Sequence, residues 1–202
     1  MKPPAMILAG GRATRMGGGD KPLLPLGGRT MLDLVLDRLS PQAGGIALNA
    51  NGDPARFAAF ALPVLADSLP DHPGPLAGIL AAMDWAIALG VPHVLTVAGD
   101  TPFFPGDLAQ RLLERRGSRG LALAASRDAQ GQTRDHPTFG LWPTSLRQDL
   151  AECLAQGQGR VRSFAARHQP GLAIWDDWPL DPFMNVNTPD DLARAEAALA
   201  AL

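Results

Sequence analysis

Residues 7 to 21 read I-L-A-G-G-R-A-T-R-M-G-G-G-D-K, an apolar run that opens into glycines and closes on a lysine, with Arg12 and Arg15 between them. Glycines let backbone N–H groups come close to an anion, and Arg12, Arg15 and Lys21 place three cations within ten residues. The chemistry such a stretch could do is phosphate binding. Two common phosphate loops are excluded: Arg12 breaks G-x-G-x-x-G, and there is no Gly-Lys pair for G-x-x-x-x-G-K-[ST]. Lys21 stands out because the chain has only two lysines, Lys2 and Lys21, against 16 arginines. A lysine is a compact charge on a thin stem that can enter a narrow phosphate pocket, so its use here implies a specific task. An isolated glycine cluster reads more simply as a solvated loop. Its position after a first strand, together with the closing lysine, favours the phosphate site.

The elements that must position this loop alternate between short apolar strands and helices. Strands are read at Ala5 to Ala9, Ile46 to Leu48, Pro63 to Ala66, His93 to Ala98, Leu121 to Ala125, Thr138 to Trp142 and Leu172 to Trp175. Thr30 with Asp33 is a capping box that opens the first helix. Further helices are read at Pro54 to Ala61, Leu76 to Leu89, Asp107 to Arg116 and Thr144 to Gln156, and from Thr188 to the C-terminus. Gly90 and Pro92 end the second of these, and Thr188-Pro189-Asp190-Asp191 starts the last. The pattern predicts an α/β fold, a single three-layer, doubly wound and mostly parallel sheet. In such sheets ligands lie beyond the carboxyl ends of the strands. Asn49, Asp67 and Asp100 each follow a proposed strand, so the topology brings them to the glycine loop's edge and makes one site.

Length and composition agree with this. A chain of 202 residues with 46% hydrophobic content suits one domain, 1–202. Net charge is -2 with both signs interspersed, which argues against nucleic acid or an anionic membrane as a partner. Cys153 is alone and cannot form an internal disulfide, and no Cys and His set has zinc spacing, so a reducing, cytoplasmic setting is expected. Met6 to Ala9 is too short for a signal-peptide core, and Leu76 to Val91 is interrupted by Asp84 and too short to span a membrane.

The opening motif L-A-G-G-R-A-T-R-M-G-G-G-D-K-P-L-L resembles a signature of nucleotidyltransferases that attach a nucleoside monophosphate to a phosphorylated acceptor. Four further segments narrow the resemblance: N-A-N at 49 to 51, D-S-L-P-D-H-P-G-P-L-A-G at 67 to 78, D-H-P-T-F-G-L-W at 135 to 142 and M-N-V-N-T-P at 184 to 189. Together they are similar to the molybdenum cofactor guanylyltransferase family over nearly the whole chain. The resemblance implies a Rossmann-like nucleotidyltransferase fold, with 1–100 mainly binding GTP and 101–202 mainly binding molybdopterin. It also implies transfer of GMP from GTP to the terminal phosphate of the molybdopterin cofactor. Carried onto this chain, it implies that Leu8, Ala9 and Gly10 line the guanine and ribose. Gly10 and Gly11 would open onto the phosphates, which Lys21 contacts. Asn49 and Asp67 match nucleotide-contacting positions, and Asp100 matches the aspartate that contacts GTP and holds Mg²⁺. The resemblance further implies that Arg15, Lys21 and the Mg²⁺ held on Asp100 neutralise the charge of the reacting phosphates. Asn185 and Asn187 match the acceptor end, where Arg160 and Arg162 face the pterin phosphate or simply solvent. The implied partners are GTP, the molybdopterin cofactor, molybdenum-insertion proteins and apo-molybdoenzymes, with the enzyme acting as a monomer.

Other residues read more plainly. His72 and His136 are too far apart in sequence to suggest a metal site and suit hydrogen bonding or acceptor contact, while His93 and His168 read as structural or surface groups. Trp175 and Trp178 read as packing and Cys153 as a small apolar residue. Three alternatives stay open at this point: a cytidylyltransferase for the same acceptor, a sugar-phosphate nucleotidyltransferase, and a silent nucleotide sensor or cofactor chaperone.

Overall fold

The computed structural model describes residues 1–10, 19–69 and 74–201. Gly11, Arg12, Arg15 and His72, singled out above, lie outside the described residues. In chain order the strands are β1 Ala5–Leu8, β2 Pro25–Leu26, β3 Arg29–Thr30, β4 Ile46–Asn49, β5 Val64–Leu65, β6 His93–Ala98, β7 Ala122–Arg127, β8 Thr133–Pro143 and β9 Gly171–Asp176. The helices are α1 Met31–Leu39, α2 Pro75–Ala88, α3 Leu108–Glu114, α4 Arg147–Ala155, α5 Val161–Arg167 and α6 Pro189–Ala200.

Seven strands form one sheet in the order β5-β4-β1-β6-β8-β7-β9, and β2 and β3 form a small separate hairpin. β1 sits between β4 and β6 and is parallel to both. Consecutive crossovers therefore diverge from β1, which creates the switch point where ligands bind in this architecture. The β4–β5 and β7–β9 pairs are also parallel, whereas β8 runs antiparallel to β6 and β7. This reversal matters for function. It puts the start of β8 beside the carboxyl end of β7, with Ala125 opposite Asp135 and Ala124 opposite His136. The D-H-P-T segment thus reaches the same edge as Asp100.

The strand read at Thr138 to Trp142 extends over Thr133–Pro143, because its pairing with β7 resumes beyond a register jump. Leu123 pairs with Gly140 but Ala124 pairs with His136. Thr96 pins the irregularity from β6: its hydroxyl donates to the Thr138 carbonyl at 2.8 Å and accepts from the Trp142 indole at 2.9 Å. Thr96 and Trp142 are fully buried, where an unpaired polar group would be costly.

Alternation along β1 splits the core into two layers, as a period of two requires. Ile7 packs with Leu32, Val35 and Leu108 of α1 and α3, and Met6 packs with Leu80 and Met83 of α2, Leu150 of α4 and Phe164 of α5. Helix α2 is apolar on nearly every face because it is buried along most of its length, and it ends before Gly90, whose φ of 69° few other residues accept. A third apolar cluster joins the hairpin region to the C-terminal part of the chain through Leu26, Met31, Phe103, Met184, Val186 and Ala195. Both predicted capping boxes form, at Thr30 with Asp33 and at Thr188 with Asp191.

Some elements depart from expectation. Pro54–Phe60 is a 3-10 helix, and the expected Thr144 to Gln156 helix is a 3-10 turn followed by α4. The hairpin and α5 have no counterpart in the sequence reading, since two-residue strands and a seven-residue helix carry too little periodicity to detect. Among the described residues, no helix is long and apolar enough to cross a membrane.

Candidate active site

At the switch point the backbone comes first. Ala9 N–H donates to the Asn49 carbonyl at 2.9 Å, and Gly99 N–H donates to the Leu8 carbonyl at 3.1 Å, so the strand ends of β1, β4 and β6 are tied directly to one another. Leu8 is half-buried, Ala9 buried and Gly10 exposed with open space around it, leaving a backbone ledge that a flat ligand could approach. Two polar clusters flank the ledge.

The first is built on Lys21. The residue opens a 3-10 turn, Lys21–Leu23, that leads into the hairpin, so its backbone is fixed just past the glycine segment. Its ammonium stands 3.5 Å from Asp100 Oδ2 and donates to Asn187 Oδ1. Both side chains of the Lys21–Asp100 pair are about one-fifth exposed, at 19% and 21%. Asp100 is held by its own neighbours: Val186 N–H donates to its carbonyl at 2.9 Å, and Thr101 Oγ1 lies 3.4 Å from Oδ1 while donating to Asn185 Oδ1 at 2.6 Å. Asn185 and Asn187 are thus brought to Asp100 from the far end of the sequence.

A strap does this. After β9 the chain crosses back over the carboxyl ends of the strands. Asp177 N–H bonds the Arg127 carbonyl at the end of β7, and Asp181 pairs with Arg134 at the start of β8. Phe183 stacks on His136 with ring centroids 4.4 Å apart, and Val186 then reaches Asp100. Asp191 closes the strap, its carboxylate accepting from Asn187 N–H at 3.1 Å. His136 also shares a 2.7 Å hydrogen bond between Nε2 and Ser126 Oγ. Burial pushes its pKa down to about 4, with Arg134 and Arg162 adding to the effect against Asp181 and Asp135. The imidazole is therefore neutral near pH 7.

The second cluster is built on Asp67, just past β5. Asn49 Nδ2 donates to Asp67 Oδ1 at 2.9 Å and to the Leu65 carbonyl at 3.2 Å. Asn51 clasps the same residue from both sides: its Nδ2 donates to Oδ2 at 2.7 Å and its Oδ1 accepts from the Asp67 N–H at 2.9 Å. Asn49 fits only because Gly78 of α2 lacks a side chain, since a Cβ there would collide with Asn49 Oδ1. A carboxylate flanked by two amides is suited to the donor edge of a base or to ribose hydroxyls.

Lys21, Asp100, Asn185 and Asn187 thus meet in one cluster and Asn49 and Asp67 in another, with Leu8 to Gly10 between them. Arg160 and Arg162 belong to neither. Arg160 is exposed just before α5, and Arg162 stands 3.5 Å from Asp135 in the D-H-P-T segment. Sequence reasoning missed Thr101, which follows Asp100 directly, and Asn51, whose i, i+2 spacing from Asn49 was a visible signal. Among the described residues, no group of three or more His, Cys, Asp or Glu could hold a metal by itself. Asp100 fits a divalent cation that is shared with substrate phosphates. It is a hard oxygen donor whose contacts, at 3.4 and 3.5 Å, are longer than charged hydrogen bonds normally are.

A family profile described as the MobA-like NTP transferase domain matches residues 5–171. The molybdenum cofactor guanylyltransferase of Nitrobacter hamburgensis is 48% identical over 200 residues, covering 98% of this chain and 94% of the relative. Among solved structures, the molybdopterin-guanine dinucleotide biosynthesis protein A from Archaeoglobus fulgidus superposes with a TM-score of 0.74 at 22% identity, covering 98% of this chain and 99% of that one. The 2-C-methyl-D-erythritol 4-phosphate cytidylyltransferase from Thermus thermophilus gives 0.68 at 21% identity, with full coverage of both chains at 100%. At such identities the two structures speak for the fold alone. By the extent of the profile match and the near-complete alignment with its relative, the chain belongs to the MobA-like NTP transferase family, in the company of the molybdenum cofactor guanylyltransferases.

Proposed function

We infer that this chain is a nucleotidyltransferase that moves GMP from GTP to the terminal phosphate of the molybdopterin cofactor, giving the guanine dinucleotide form and pyrophosphate. The observation that carries the reading is the meeting of Lys21, Asp100 and Asn187 at the carboxyl ends of β1 and β6, in a chain 48% identical to a molybdenum cofactor guanylyltransferase.

The acceptor's phosphate oxygen attacks the α-phosphorus of GTP; the bond from that phosphorus to the β-phosphate oxygen breaks as the new one forms. The nucleophile is already ionised, so no strong base is required, and no covalent enzyme intermediate is needed. The work of the protein is positioning two anions and neutralising their charge. Lys21 exchanges its Asp100 and Asn187 contacts for the GTP phosphates, with Arg15 adding a second charge. Leu8, Ala9, Gly10 and Gly11 give backbone contacts, and Asn49 and Asp67 hold the nucleoside. Asn185 and Asn187, set by the strap, face the acceptor, whose phosphate Arg160 and Arg162 would flank. Asp100 would hold Mg²⁺ together with the substrate phosphates, and the bound ion supplies charge neutralisation at the reacting phosphorus. One chain carries the whole set, which suits a monomer in the cytoplasm that passes its product to molybdenum-insertion proteins and apo-molybdoenzymes. GTP labelled at the α- or the γ-phosphate tests the reaction. The α-label is expected in the dinucleotide and the γ-label in pyrophosphate, and γ-label in the acceptor product would refute it.

A further inference from the structure

Arg56, in the 3-10 helix after β4, carries no assigned role, yet its guanidinium joins the two ends of the site. Its Nη2 donates to the Asn51 carbonyl and its Nη1 to the Asp53 carbonyl, both at 2.6 Å. Its Nε lies 2.7 Å from Asp20 Oδ2. Nε is buried and has no acceptor aligned with its N–H, so the Asp20 contact is held by charge rather than by a directed hydrogen bond. The pair is largely shielded, with side chains 26% and 21% exposed.

Both partners lead directly into the nucleotide site. Asn51 is the residue that clasps Asp67 from both sides, and Asp20 immediately precedes Lys21. The turn between them is shaped for this purpose. Gly52, at φ +86°, lets the Asn51 and Asp53 carbonyls converge on one guanidinium, and a Cβ at Gly52 would press to 3.3 Å from Arg56 Nη1. A planar fork can serve two carbonyls and a carboxylate at once; a lysine, a single point charge, cannot. The contacts form an unbroken path from Asp67 through Asn51, Arg56 and Asp20 to Lys21 and Asp100.

We propose that Arg56 is a positioning residue that couples the nucleoside end of the site, at Asp67, to the phosphate end, at Lys21, so that recognition of the base sets the phosphate grip. The proposal rests on the reading of Asp67 and Lys21 as nucleotide contacts. A residue that merely staples the turn would change stability alone; a coupling residue changes affinity at both ends, neither of which it touches.

The test is direct titration of GTP, ATP and inorganic pyrophosphate, with Mg²⁺ present, into the wild type, Arg56→Lys and Asp20→Asn, with melting temperatures recorded in parallel. Arg56→Lys is expected to lower the preference for GTP over ATP about tenfold and to weaken pyrophosphate by a similar factor. Asp20→Asn should also lower the base preference, although Asp20 sits at the phosphate end, and the double variant should be little worse than either single one. Unchanged base preference and pyrophosphate affinity, with only the melting temperature reduced, would overturn the proposal. If Arg56→Lys does not fold, Asp20→Asn decides alone: a retained preference for GTP overturns the coupling and a diminished one supports it. A wild type that binds no GTP would instead defeat the functional reading, and the proposal with it.

Discussion

At the scale of single residues the account stands on Lys21 and Asp100, which the sequence places 79 positions apart and the fold brings to 3.5 Å. Lys21→Ala is expected to cost on the order of 10²- to 10³-fold in turnover, by analogy with the loss of one oxyanion donor. Steady-state kinetics check this, and near-normal turnover in that variant would remove Lys21 from the mechanism. Lys21→Arg should not restore the rate, because a planar fork does not fit where a point charge meets one carboxylate and one amide. Lys21 was legible because it is one of two lysines in an arginine-rich chain. Asp100 was legible because it closely follows a β-branched strand. Thr101 and Arg56 were not, since their roles come from partners 84 and 36 positions away, at Asn185 and Asp20, and no local spacing encodes such meetings.

Among the elements, α2 and the strap after β9 shape the site. Alanine in place of a helical glycine normally gains about 1 kcal/mol. At Gly78 the new Cβ would strike Asn49, and the overpacking costs about 1–3 kcal/mol, so the clash outweighs the gain. Gly78→Ala is therefore expected to weaken GTP binding by about tenfold while α2 stays folded, as titration and circular dichroism would show. The strap rests on His136, whose pKa is about 4 in the folded chain against 6.5 as a free group. Between those values the unfolded chain binds the extra proton. Stability is accordingly full above pH 6.5 and is lost as pH falls toward 4. His93 and His168, also lowered chiefly by burial, act in the same direction. Thermal melts from about pH 7 to about pH 4.5 should show the decline, and His136→Gln should flatten it; an equal decline in that variant would remove His136 as a cause. The capping boxes and the long helix α2 were readable because their signals are local. The strap was not, because it is a tertiary path across several strand ends.

For the whole molecule, one sheet order explains why residues from both ends of the chain form one site. β1 lies between β4 and β6, and the returning strap lands on β6. The alternation of strands and helices was enough to read a doubly wound, mostly parallel sheet and to gather Asn49, Asp67 and Asp100 at one edge. It could not reveal that β8 runs antiparallel, since a hairpin return and a crossover return look alike in apolar runs this short. Chelation of divalent cations should abolish turnover, and added Mg²⁺ should restore it. The central claim is guanylyl transfer to the molybdopterin phosphate. Its most direct measurement supplies the purified chain with Mg²⁺, the molybdopterin cofactor and each of GTP, CTP, ATP and UTP, and follows pyrophosphate release together with the nucleotide found in the product. The account predicts release and dinucleotide formation with GTP alone, both lost in Asp100→Asn. Equal product from CTP would contradict the base assignment, and silence with all four nucleotides would contradict the reaction itself.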